Sequence, residues 1–425
     1  MGEDNNPGRR DFIGKIAAYT GSALILGGIG WAGTKLTGSA DSEVTYDGKL
    51  IKIGVVGTGS RGNYLLELLL SVPIVEVVAI CDNYPPNLRQ GLEIAKGKVR
   101  SYDNHLVMYE KEKLDAVVVA TPLHQHAPVV LDAFEAGFHV FCEKSMARTV
   151  DDCVAMVKAS QVAGKVFQIG LQRMFDQNYL AFMQMLKNNQ IGRVTQVRAY
   201  WHRNNDWRRP IPSPELERKI NWRLYNEYSC GLMTELVAHH IQVANWVLNA
   251  TPVKVMGSGS INYWNDGREV FDNVNLVYEY PGGIHLNCDS MISNKHYGAE
   301  VQVLGDKGTF EMESGLFYTE NPPPSPGILQ LINTIEHGIF DAINLQGTSW
   351  APELIIHDTP HYINPRKHTP DSTREQLVAF ARFVQKGQPV PELVKHGFNT
   401  SVATLYGDIA IKENRIVTIP DEHRM

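Results

Sequence analysis

A glycine-rich turn that joins an apolar run to an amphipathic segment constrains the fold of this 425-residue chain more than any other feature. Residues 50–56 are β-branched and apolar, which predicts a buried strand, and residues 60–71 have the pattern of a helix. The turn between them has the spacing G-x-G-x-x-G, and its predicted pyrophosphate-binding residues are Gly57, Gly59, Ser60, Arg61 and Gly62. A helix N-terminus at such a turn directs N–H groups and a positive dipole end at a phosphate. The local pattern therefore predicts a dinucleotide-binding strand–turn–helix.

An acidic residue follows the next predicted strand at the spacing typical of dinucleotide-binding domains. This strand covers residues 75–80, and Asp82 lies 20 residues after Gly62. A carboxylate in that place binds the hydroxyl groups of the adenosine ribose. Its negative charge repels a 2′-phosphate, so Asp82 favours NAD over NADP as the cofactor. The alternative role for Asp82 is that of a turn residue at a strand end.

The rest of the first half alternates between strand and helix patterns. Predicted strands at 114–120, 137–142 and 166–170 are separated by predicted helices at 127–136 and 151–163. This βαβ alternation indicates a parallel sheet covered by helices on both faces. We therefore predict an α/β fold class with a doubly wound Rossmann domain over residues 48–170.

Three segments together resemble the Gfo/Idh/MocA oxidoreductase family. They are the glycine turn at 57–62, the hexapeptide Thr-Pro-Leu-His-Gln-His at 121–126, and the segment 137–144, which ends in Glu-Lys. The resemblance extends from about residue 50 to the C-terminus. It implies that further cofactor-binding residues are Thr121, Pro122, His126, Glu143 and Lys144. Ser145 stands where the family usually has proline, and serine restricts the backbone less.

A second constellation lies about ninety residues further on, in the segment 231–242. It resembles the family's G-x-x-x-D-x-x-x-H-x-x-D helix, and the resemblance makes His239 the catalytic histidine. Glu235 stands four residues earlier, so the two side chains share a helix face. His240 points about 100° away from His239 and is expected to be a hydrogen-bonded core residue. The spacing offers too few ligands for a metal, and no metal site is expected.

The resemblance implies hydride transfer between NAD(H) and a secondary hydroxyl or keto group of a sugar or polyol. His239 would accept the hydroxyl proton, because imidazole titrates near neutral pH. Lys144 would orient the hydroxyl and lower its pKa. Glu235 would position His239 or bind a neighbouring sugar hydroxyl. The alternative for Lys144 is a surface lysine, but a residue that ends a Rossmann strand faces the ligand crevice.

Polar and aromatic side chains between residues 173 and 223 are candidates for carbohydrate binding. A sugar requires dense polar groups together with aromatic ring faces. The substrate candidates are Arg173, Tyr179, His202, Trp207, Arg208, Trp222, Arg223 and His239. Ordinary loop packing is the alternative role for each of them.

The second half of the chain predicts an α+β domain over residues 171–395 with an open, mainly antiparallel sheet. Strands are predicted near 194–202, 253–263, 273–280, 283–290 and 301–313, with helices at 179–187 and 372–386. The outer face of this sheet is a candidate surface for a homo-oligomer. A last helix near 399–412 is predicted to pack back on the body within a C-terminal unit, residues 396–425. Residues 315–370 are an elaboration without an assigned role.

The first forty residues have the pattern of an export signal. A pair of arginines at 9–10 precedes an apolar, glycine-rich run at 16–33 and a small-residue exit at 37–40. This order resembles a twin-arginine signal and predicts a periplasmic protein. A membrane anchor is the alternative reading, and no later segment is long enough to span a bilayer.

Composition adds two exclusions. The formal net charge of −6 gives no reason to expect nucleic acid as a partner, so the expected partner is a small carbohydrate. Five cysteines without paired spacing argue against both a zinc ribbon and a disulfide framework.

Two rival functions are compatible with the same motifs. One is an NAD-dependent glycosidase that cleaves its substrate through transient oxidation. The other is a non-catalytic protein that binds a sugar or nucleotide. The predicted periplasmic location adds a hypothesis, because a compartment without a nicotinamide pool favours a tightly held NAD that is recycled between substrates.

Overall fold

The computed structural model describes residues 49–320, 361–362 and 371–425. The predicted signal segment, residues 1–40, lies outside these ranges, as does the greater part of the predicted elaboration at 315–370. The described residues form one parallel sheet and one mixed, mostly antiparallel sheet. This confirms the predicted α/β class, with a Rossmann sheet followed by a second domain.

The first sheet has six parallel strands within residues 49–171. They are β1 (Ile51–Val56), β2 (Val75–Cys81), β3 (Arg100–Tyr102), β4 (Ala116–Val119), β5 (His139–Cys142) and β6 (Phe167–Ile169). Their order is β3-β2-β1-β4-β5-β6, which is the doubly wound order of a dinucleotide-binding domain. The strand order reverses between β1 and β4, so the crevice at the carboxyl ends of these two strands is where a ligand is expected.

Helices cover both faces of this sheet. They are α1 (Ser60–Leu70), α2 (Pro85–Ile94), α3 (His105–Lys111), α4 (His126–Glu135) and α5 (Val150–Ala163). The bounds of α5 follow from its ends: the Thr149 side chain accepts a hydrogen bond from the Asp152 N–H, and Gly164 stops the helix in a left-handed conformation with φ of 59°.

The second sheet has nine strands in the described part of the chain. They are β7 (Val194–His202), β8 (Lys254–Ser260), β9 (Asn273–Glu279), β10 (His285–Met291), β11 (Ala299–Gly305), β12 (Gly308–Glu311), β13 (Leu316–Thr319), β14 (His361–Tyr362) and β15 (Val417–Thr418). Their order is β14-β13-β12-β11-β7-β10-β9-β8-β15. Strands β7 and β10 pair in parallel, and the other pairs of this sheet are antiparallel.

One predicted strand is divided in two. The sequence pattern predicts a single strand over 301–313, whereas β11 and β12 form a hairpin that turns at Asp306 and Lys307. Both turn residues are held by the segment before β7, since their N–H groups donate to the carbonyls of Arg193 and Ile191. The tetrapeptide Gly-Asp-Lys-Gly at 305–308 is a turn signal, and the single predicted strand was wrong because it ran through it.

The second half contributes five helices to the described residues. They are α6 (Gln177–Lys187), α7 (Glu217–Ile220), α8 (Ala238–Leu248), α9 (Ser372–Lys386) and α10 (Pro391–Glu413). Helix α10 begins eight residues before the predicted start at 399. Proline fits the first helical turn because its missing N–H would have no partner there.

Helix α10 joins the two domains. It packs against α5 and β6 of the first domain and against α8 and β8 of the second. The Ser401 hydroxyl accepts a hydrogen bond from the Met146 N–H at 2.8 Å. A Cβ atom at Gly397 would lie 2.4 Å from Cγ1 of Ile169, so the helix approaches β6 as closely as a glycine allows.

Helix α9 packs on the first domain although it lies within the predicted second segment, 171–395. It contacts α1, β1 and residues 172–175. Val378 and Ala381 of this helix form a small buried cluster with Val72 and Ile74. The chain therefore returns to the Rossmann domain between β14 and β15 of the second sheet.

The state of the cysteines and the length of the helices limit the chemistry and the membrane contacts of the described residues. All five cysteines are buried and unpaired, and burial raises the pKa of Cys81 to about 12, so this thiol is unreactive. No helix in the described ranges is both long enough and apolar enough to span a bilayer.

The contact of Gly397 with β6 predicts the effect of a substitution. Gly397→Ala places a methyl group against Cγ1 and Cβ of Ile169, at 2.4 and 2.8 Å, so the strand or the helix must move. We expect a loss of about 1–3 kcal/mol in the free energy of unfolding, measured by urea denaturation. Lys395→Ala, on an exposed position of the same helix, is the matched control. Equal stability of the two variants would contradict close packing at this contact.

Candidate active site

The glycine turn has the shape that a pyrophosphate requires. Gly57 has a φ of 89°, and a Cβ at Gly62 would lie 1.7 Å from the Gly57 oxygen, so both positions require glycine for packing within the protein. Gly59 differs, because a Cβ there would meet only the Asn87 amide nitrogen, at 3.8 Å. The space over Gly59 is therefore open for close approach of a ligand to the backbone. The residues present fit a dinucleotide.

Asp82 lies beside this turn, at the end of β2, as the sequence predicts. Its Oδ2 accepts hydrogen bonds from the Thr58 N–H at 2.8 Å and from the Asn87 amide at 3.3 Å. Its Oδ1 accepts from the Tyr84 N–H at 2.8 Å. The carboxylate thus fixes the turn, and Oδ1 retains the capacity to accept a further hydrogen bond, such as one from a ribose hydroxyl.

Arg61 and Glu143 meet across the carboxyl edge of the first sheet. The Arg61 Nε donates to the Glu143 Oε1 at 2.8 Å, and Glu143 is buried. The Lys144 N–H donates to the other oxygen of the same carboxylate at 3.2 Å. This ion pair connects the glycine turn to the end of β5. Two predicted cofactor-binding residues therefore reach the same edge of the crevice and stabilise each other.

His126 connects the loops that follow β4 and β5. Its Nδ1 lies 2.9 Å from the Ser145 carbonyl oxygen, and its Nε2 lies 3.0 Å from the Thr121 carbonyl oxygen. The peptide bond between Lys144 and Ser145 is cis. The buried imidazole thus holds Thr121, next to Pro122, against the segment that carries Lys144.

Lys144 crosses from the first domain to the second. Its ammonium group donates to the carbonyl oxygens of Thr234 at 3.0 Å and Glu235 at 2.8 Å. These acceptors belong to a single π-helical turn, Met233–Val237, which leads into α8; such turns often occur at functional sites. Burial lowers the pKa of Lys144, although Glu235 and Glu143 raise it.

Glu235 stays ionised next to this lysine. Its Oε2 accepts a hydrogen bond from the Arg223 Nε at 2.9 Å. Burial raises the pKa of Glu235, but the charges of Arg223 and Lys144 outweigh burial and lower it overall. The site therefore contains a carboxylate between two cations.

His239 lies one helical turn after Glu235 and is buried, with 5 % of its surface exposed. Burial, followed by the charges of Lys144 and Arg173, holds the pKa of His239 well below its usual range. The imidazole is therefore neutral at physiological pH and can accept a proton. This is the protonation state that a general base needs.

His240 occupies the core, as expected, but without the expected hydrogen bonds. Its ring is fully buried, and neither nitrogen has a partner among the described residues. Burial and the charge of Arg173 hold its pKa well below the usual range. The indole of Trp201 packs near both histidines, at ring-centroid distances of 5.4 Å from His239 and 5.5 Å from His240.

Trp201 is a site residue that the sequence analysis missed. It lies on β7, next to His202, and strand alternation sends the two side chains to opposite faces of the sheet. His202 instead pairs with Asp289 of the neighbouring strand, away from His239. The alternation of β7 is a visible signal, but the sequence does not reveal which face meets α8.

Arg173 contacts the ring of the site residue Trp201. Its guanidinium lies 5.2 Å from the centre of the indole ring and forms an ion pair with Glu313. Tyr179 is buried, with 2 % of its surface exposed, and its hydroxyl donates to the same carboxylate at 2.8 Å. Tyr179 therefore supports Arg173 and does not present an open ring face to a ligand.

The remaining candidates lie in the loop between β7 and the π-helical turn, and they differ in whether they contact a residue of the site. Arg223 contacts the site through its ion pair with Glu235. Its guanidinium also stacks on Trp222, with 4.3 Å from the guanidinium carbon to the ring centre. Arg208 is bound within the loop by Glu217 and by Asp266, at 3.0 Å from the latter. Trp207 is half-buried with a left-handed φ of 61°. The ion pairs and packing of Arg208 and Trp207 account for their presence without a ligand.

The described residues contain no group of three histidine, cysteine, aspartate or glutamate side chains arranged to hold a metal ion. Lys144 of the first domain meets the segment 233–239 of the second at a place here named the seam. The chemical groups at the seam are a neutral imidazole, an ammonium group and an ionised carboxylate. Such a set can remove a proton from a hydroxyl and stabilise the resulting negative charge.

Family models match both domains. Residues 51–171 match the Gfo/Idh/MocA model described as an oxidoreductase family with an NAD-binding Rossmann fold. Residues 179–311 match the model of the GFO/IDH/MocA C-terminal domain.

Relatives of known sequence include inositol dehydrogenases. The inositol 2-dehydrogenase/D-chiro-inositol 3-dehydrogenase of Shouchella clausii is 31% identical over 270 residues, which cover 62% of this chain and 72% of the relative. The inositol 2-dehydrogenase of Salmonella typhimurium is 28% identical over 269 residues, or 62% of this chain and 74% of the relative.

A solved structure shares the fold over nearly the whole described chain. Levoglucosan dehydrogenase in complex with NADH and levoglucosan superposes with a TM-score of 0.68 at 15% identity, covering 88% of this chain and all (100%) of that chain.

The buried histidines predict a pH-dependent stability. In the unfolded chain an imidazole binds a proton below about pH 6.5, whereas His239 and His240 stay neutral in the folded protein to a lower pH. The unfolded state therefore binds more protons, and the free energy of unfolding falls as the pH falls below about 6.5.

Replacing His240 by leucine removes one of these groups. Between about pH 7 and pH 5, His240→Leu should lose less stability than the wild type, by up to about 1.4 kcal/mol per pH unit. Urea denaturation at several pH values measures this difference. Parallel pH profiles for the two proteins would show that His240 takes up its proton equally in the folded and unfolded states, contrary to its burial.

Proposed function

We propose, since this chain belongs to the Gfo/Idh/MocA family of NAD-binding oxidoreductases, that it transfers hydride between NAD(H) and a secondary hydroxyl or keto group of a sugar or polyol. One observation carries the proposal: Lys144 of the first domain meets Glu235 of the second, one helical turn before His239. The names of the relatives, which include inositol and levoglucosan dehydrogenases, support a cyclic polyhydroxy substrate.

His239 acts as the base in this proposal. Bound NAD supplies the hydride acceptor. The neutral imidazole accepts the hydroxyl proton during oxidation and returns it during reduction. Burial and the neighbouring cations lower its pKa, so the ring is unprotonated at neutral pH before the substrate binds.

Lys144 orients the hydroxyl. An ammonium group has three N–H donors, and two of them are directed at the carbonyls of Thr234 and Glu235. One donor is left for a substrate oxygen. The positive charge stabilises an alkoxide as it forms and so lowers the pKa of the bound hydroxyl. Glu235, ionised beside Arg223, is suited to accept a hydrogen bond from a neighbouring hydroxyl of the ring.

NAD is the proposed cofactor, in preference to NADP. Asp82 lies at the end of β2 beside the glycine turn, and its negative charge would repel a 2′-phosphate. Its Oδ1 is suited to accept a hydrogen bond from the ribose hydroxyl that NAD keeps.

Location and assembly complete the proposal. The paired arginines and the apolar run within residues 1–40 support export by a twin-arginine-type signal to the periplasm. The outer face of the second sheet is the proposed surface of a homo-oligomer. This face is polar, with Arg198, Tyr200 and Asp289 on neighbouring strands.

A direct assay tests the proposed reaction. The purified protein is incubated with NAD and a panel of inositols and pyranoses, and formation of NADH is followed by absorbance. Substrate-dependent NADH formation supports the proposal. Release of an aglycone from a glycoside, without accumulation of NADH, would instead favour the glycosidase.

Two substitutions test the assigned roles. With a substrate found in that panel, Lys144→Met and His239→Asn should each lower kcat by at least about a hundredfold, because each removes a group that moves or stabilises charge. Lys158→Met, on an exposed position of α5, is the control and should leave kcat unchanged. Wild-type kcat in either site variant would remove that residue from the chemical step.

A further inference from the structure

A segment of the second domain extends along the carboxyl edge of the first sheet. Residues 209–228, here named the clasp, contact three neighbouring strand ends. The Arg209 guanidinium donates to the Ser60 hydroxyl at 3.0 Å, after β1. The Lys219 ammonium donates to the Asn83 carbonyl oxygen at 3.0 Å, after β2.

A third contact lies after β4, where the rings of Tyr228 and His124 are 4.6 Å apart. Strands β2, β1 and β4 are adjacent in the sheet. The clasp therefore follows the edge along which an extended dinucleotide binds, from the adenosine end at β2 to the nicotinamide end at β4.

The clasp is held in place by its own hydrogen bonds. The side chain of Asn221, which is buried, accepts from the Arg209 N–H at 2.7 Å and donates to the Arg209 carbonyl oxygen at 3.0 Å. Arg148 of the first domain donates to the Asn226 carbonyl oxygen at 2.7 Å. Arg209 is therefore presented from an ordered backbone.

Arg209 and Lys219 of the clasp differ from the neighbouring cations in their ion pairing. Arg208 pairs with Glu217 and Asp266, and Arg218 pairs with Glu227 and Glu269. Arg209 and Lys219, which face the first domain, have no carboxylate within ion-pair distance in the described part of the chain. The cations that point at the cofactor edge are thus the ones whose charge is not balanced by the protein.

The surroundings of Arg209 favour an anion. The side chain of Arg209 is exposed overall, and partial burial together with the charge of Arg223 lowers its pKa, an effect that a bound anion would oppose. Its hydrogen bond to Ser60 places the guanidinium at the first residue of α1, where backbone N–H groups also favour negative charge. A pyrophosphate on the glycine turn would lie between the helix N-terminus and the guanidinium.

We propose that Arg209 binds the pyrophosphate of the dinucleotide from the second domain and that Lys219 covers its adenosine-ribose end, so that the clasp slows release of the cofactor. The inference rests on the proposed function, because it requires a dinucleotide on the glycine turn. A planar guanidinium donates two parallel hydrogen bonds to phosphate oxygens, which makes Arg209 the stronger of the two contacts.

Binding kinetics test the clasp. Wild type, Arg209→Ala, Lys219→Ala and the control Arg218→Ala are purified, freed of nucleotide and titrated with NAD by calorimetry. Release of NADH is then followed by its fluorescence after mixing with excess NAD. Loss of a charge-assisted hydrogen bond should raise the Kd and the release rate of Arg209→Ala about tenfold or more.

The controls separate the possible failures. Arg218→Ala should stay within about twofold of the wild type, since it removes only exposed ion pairs within the second domain. Arg209→Lys, which keeps the charge but loses the planar fork, should fall between wild type and Arg209→Ala. Equal thermal melting of the apo variants confirms that the backbone bonds of Arg209 to Asn221 persist.

Each remaining outcome decides a claim. Wild-type release rates in Arg209→Ala, with tight binding by the wild type, would overturn the clasp and leave the proposed function intact. Wild-type affinity for NAD and wild-type release of NADH in Lys219→Ala would overturn the role of Lys219 at the ribose. Failure of the wild type to bind NAD would overturn the proposed function together with the clasp.

Discussion

The hydrogen bonds of one half-buried ammonium group determine how the two domains meet at the site. Lys144 follows β5 of the first domain, and its acceptors lie on the π-helical turn that precedes α8 of the second. A cation that is partly removed from water is unfavourable without such partners, so the lysine and the turn constrain each other. The bonds also fix where His239 stands, since it lies one helical turn after Glu235.

The charges around this contact explain its protonation pattern. Arg61 pairs with Glu143, and Arg223 pairs with Glu235. The charges of Arg223 and Lys144 outweigh burial and lower the pKa of Glu235. In the described part of the chain no carboxylate forms an ion pair with His239, which lies near the cations Lys144 and Arg173. Its neutrality is a consequence first of burial and then of these cations, and a neutral base beside a cation is what alcohol oxidation requires.

The sequence predicts those features whose signals are local. The G-x-G-x-x-G turn, the apolar strands and the four-residue spacing of Glu235 and His239 each depend on neighbours within one or two elements. Trp201 was missed because strand alternation gives two faces without saying which one is buried. The contact of Arg209 with Ser60 joins residues far apart in the chain, and no local pattern predicts it. The early start of α10 has a local signal, because Pro391 fits a first helical turn.

A crystal structure with NADH tests whether the seam between the domains is one nicotinamide site built from Lys144 and His239. We expect the pyrophosphate on the glycine turn at 57–62 and the C4 atom of the nicotinamide facing the space between Lys144 and His239. A nicotinamide ring directed away from these two side chains, or a cofactor bound at another place, would contradict this expectation.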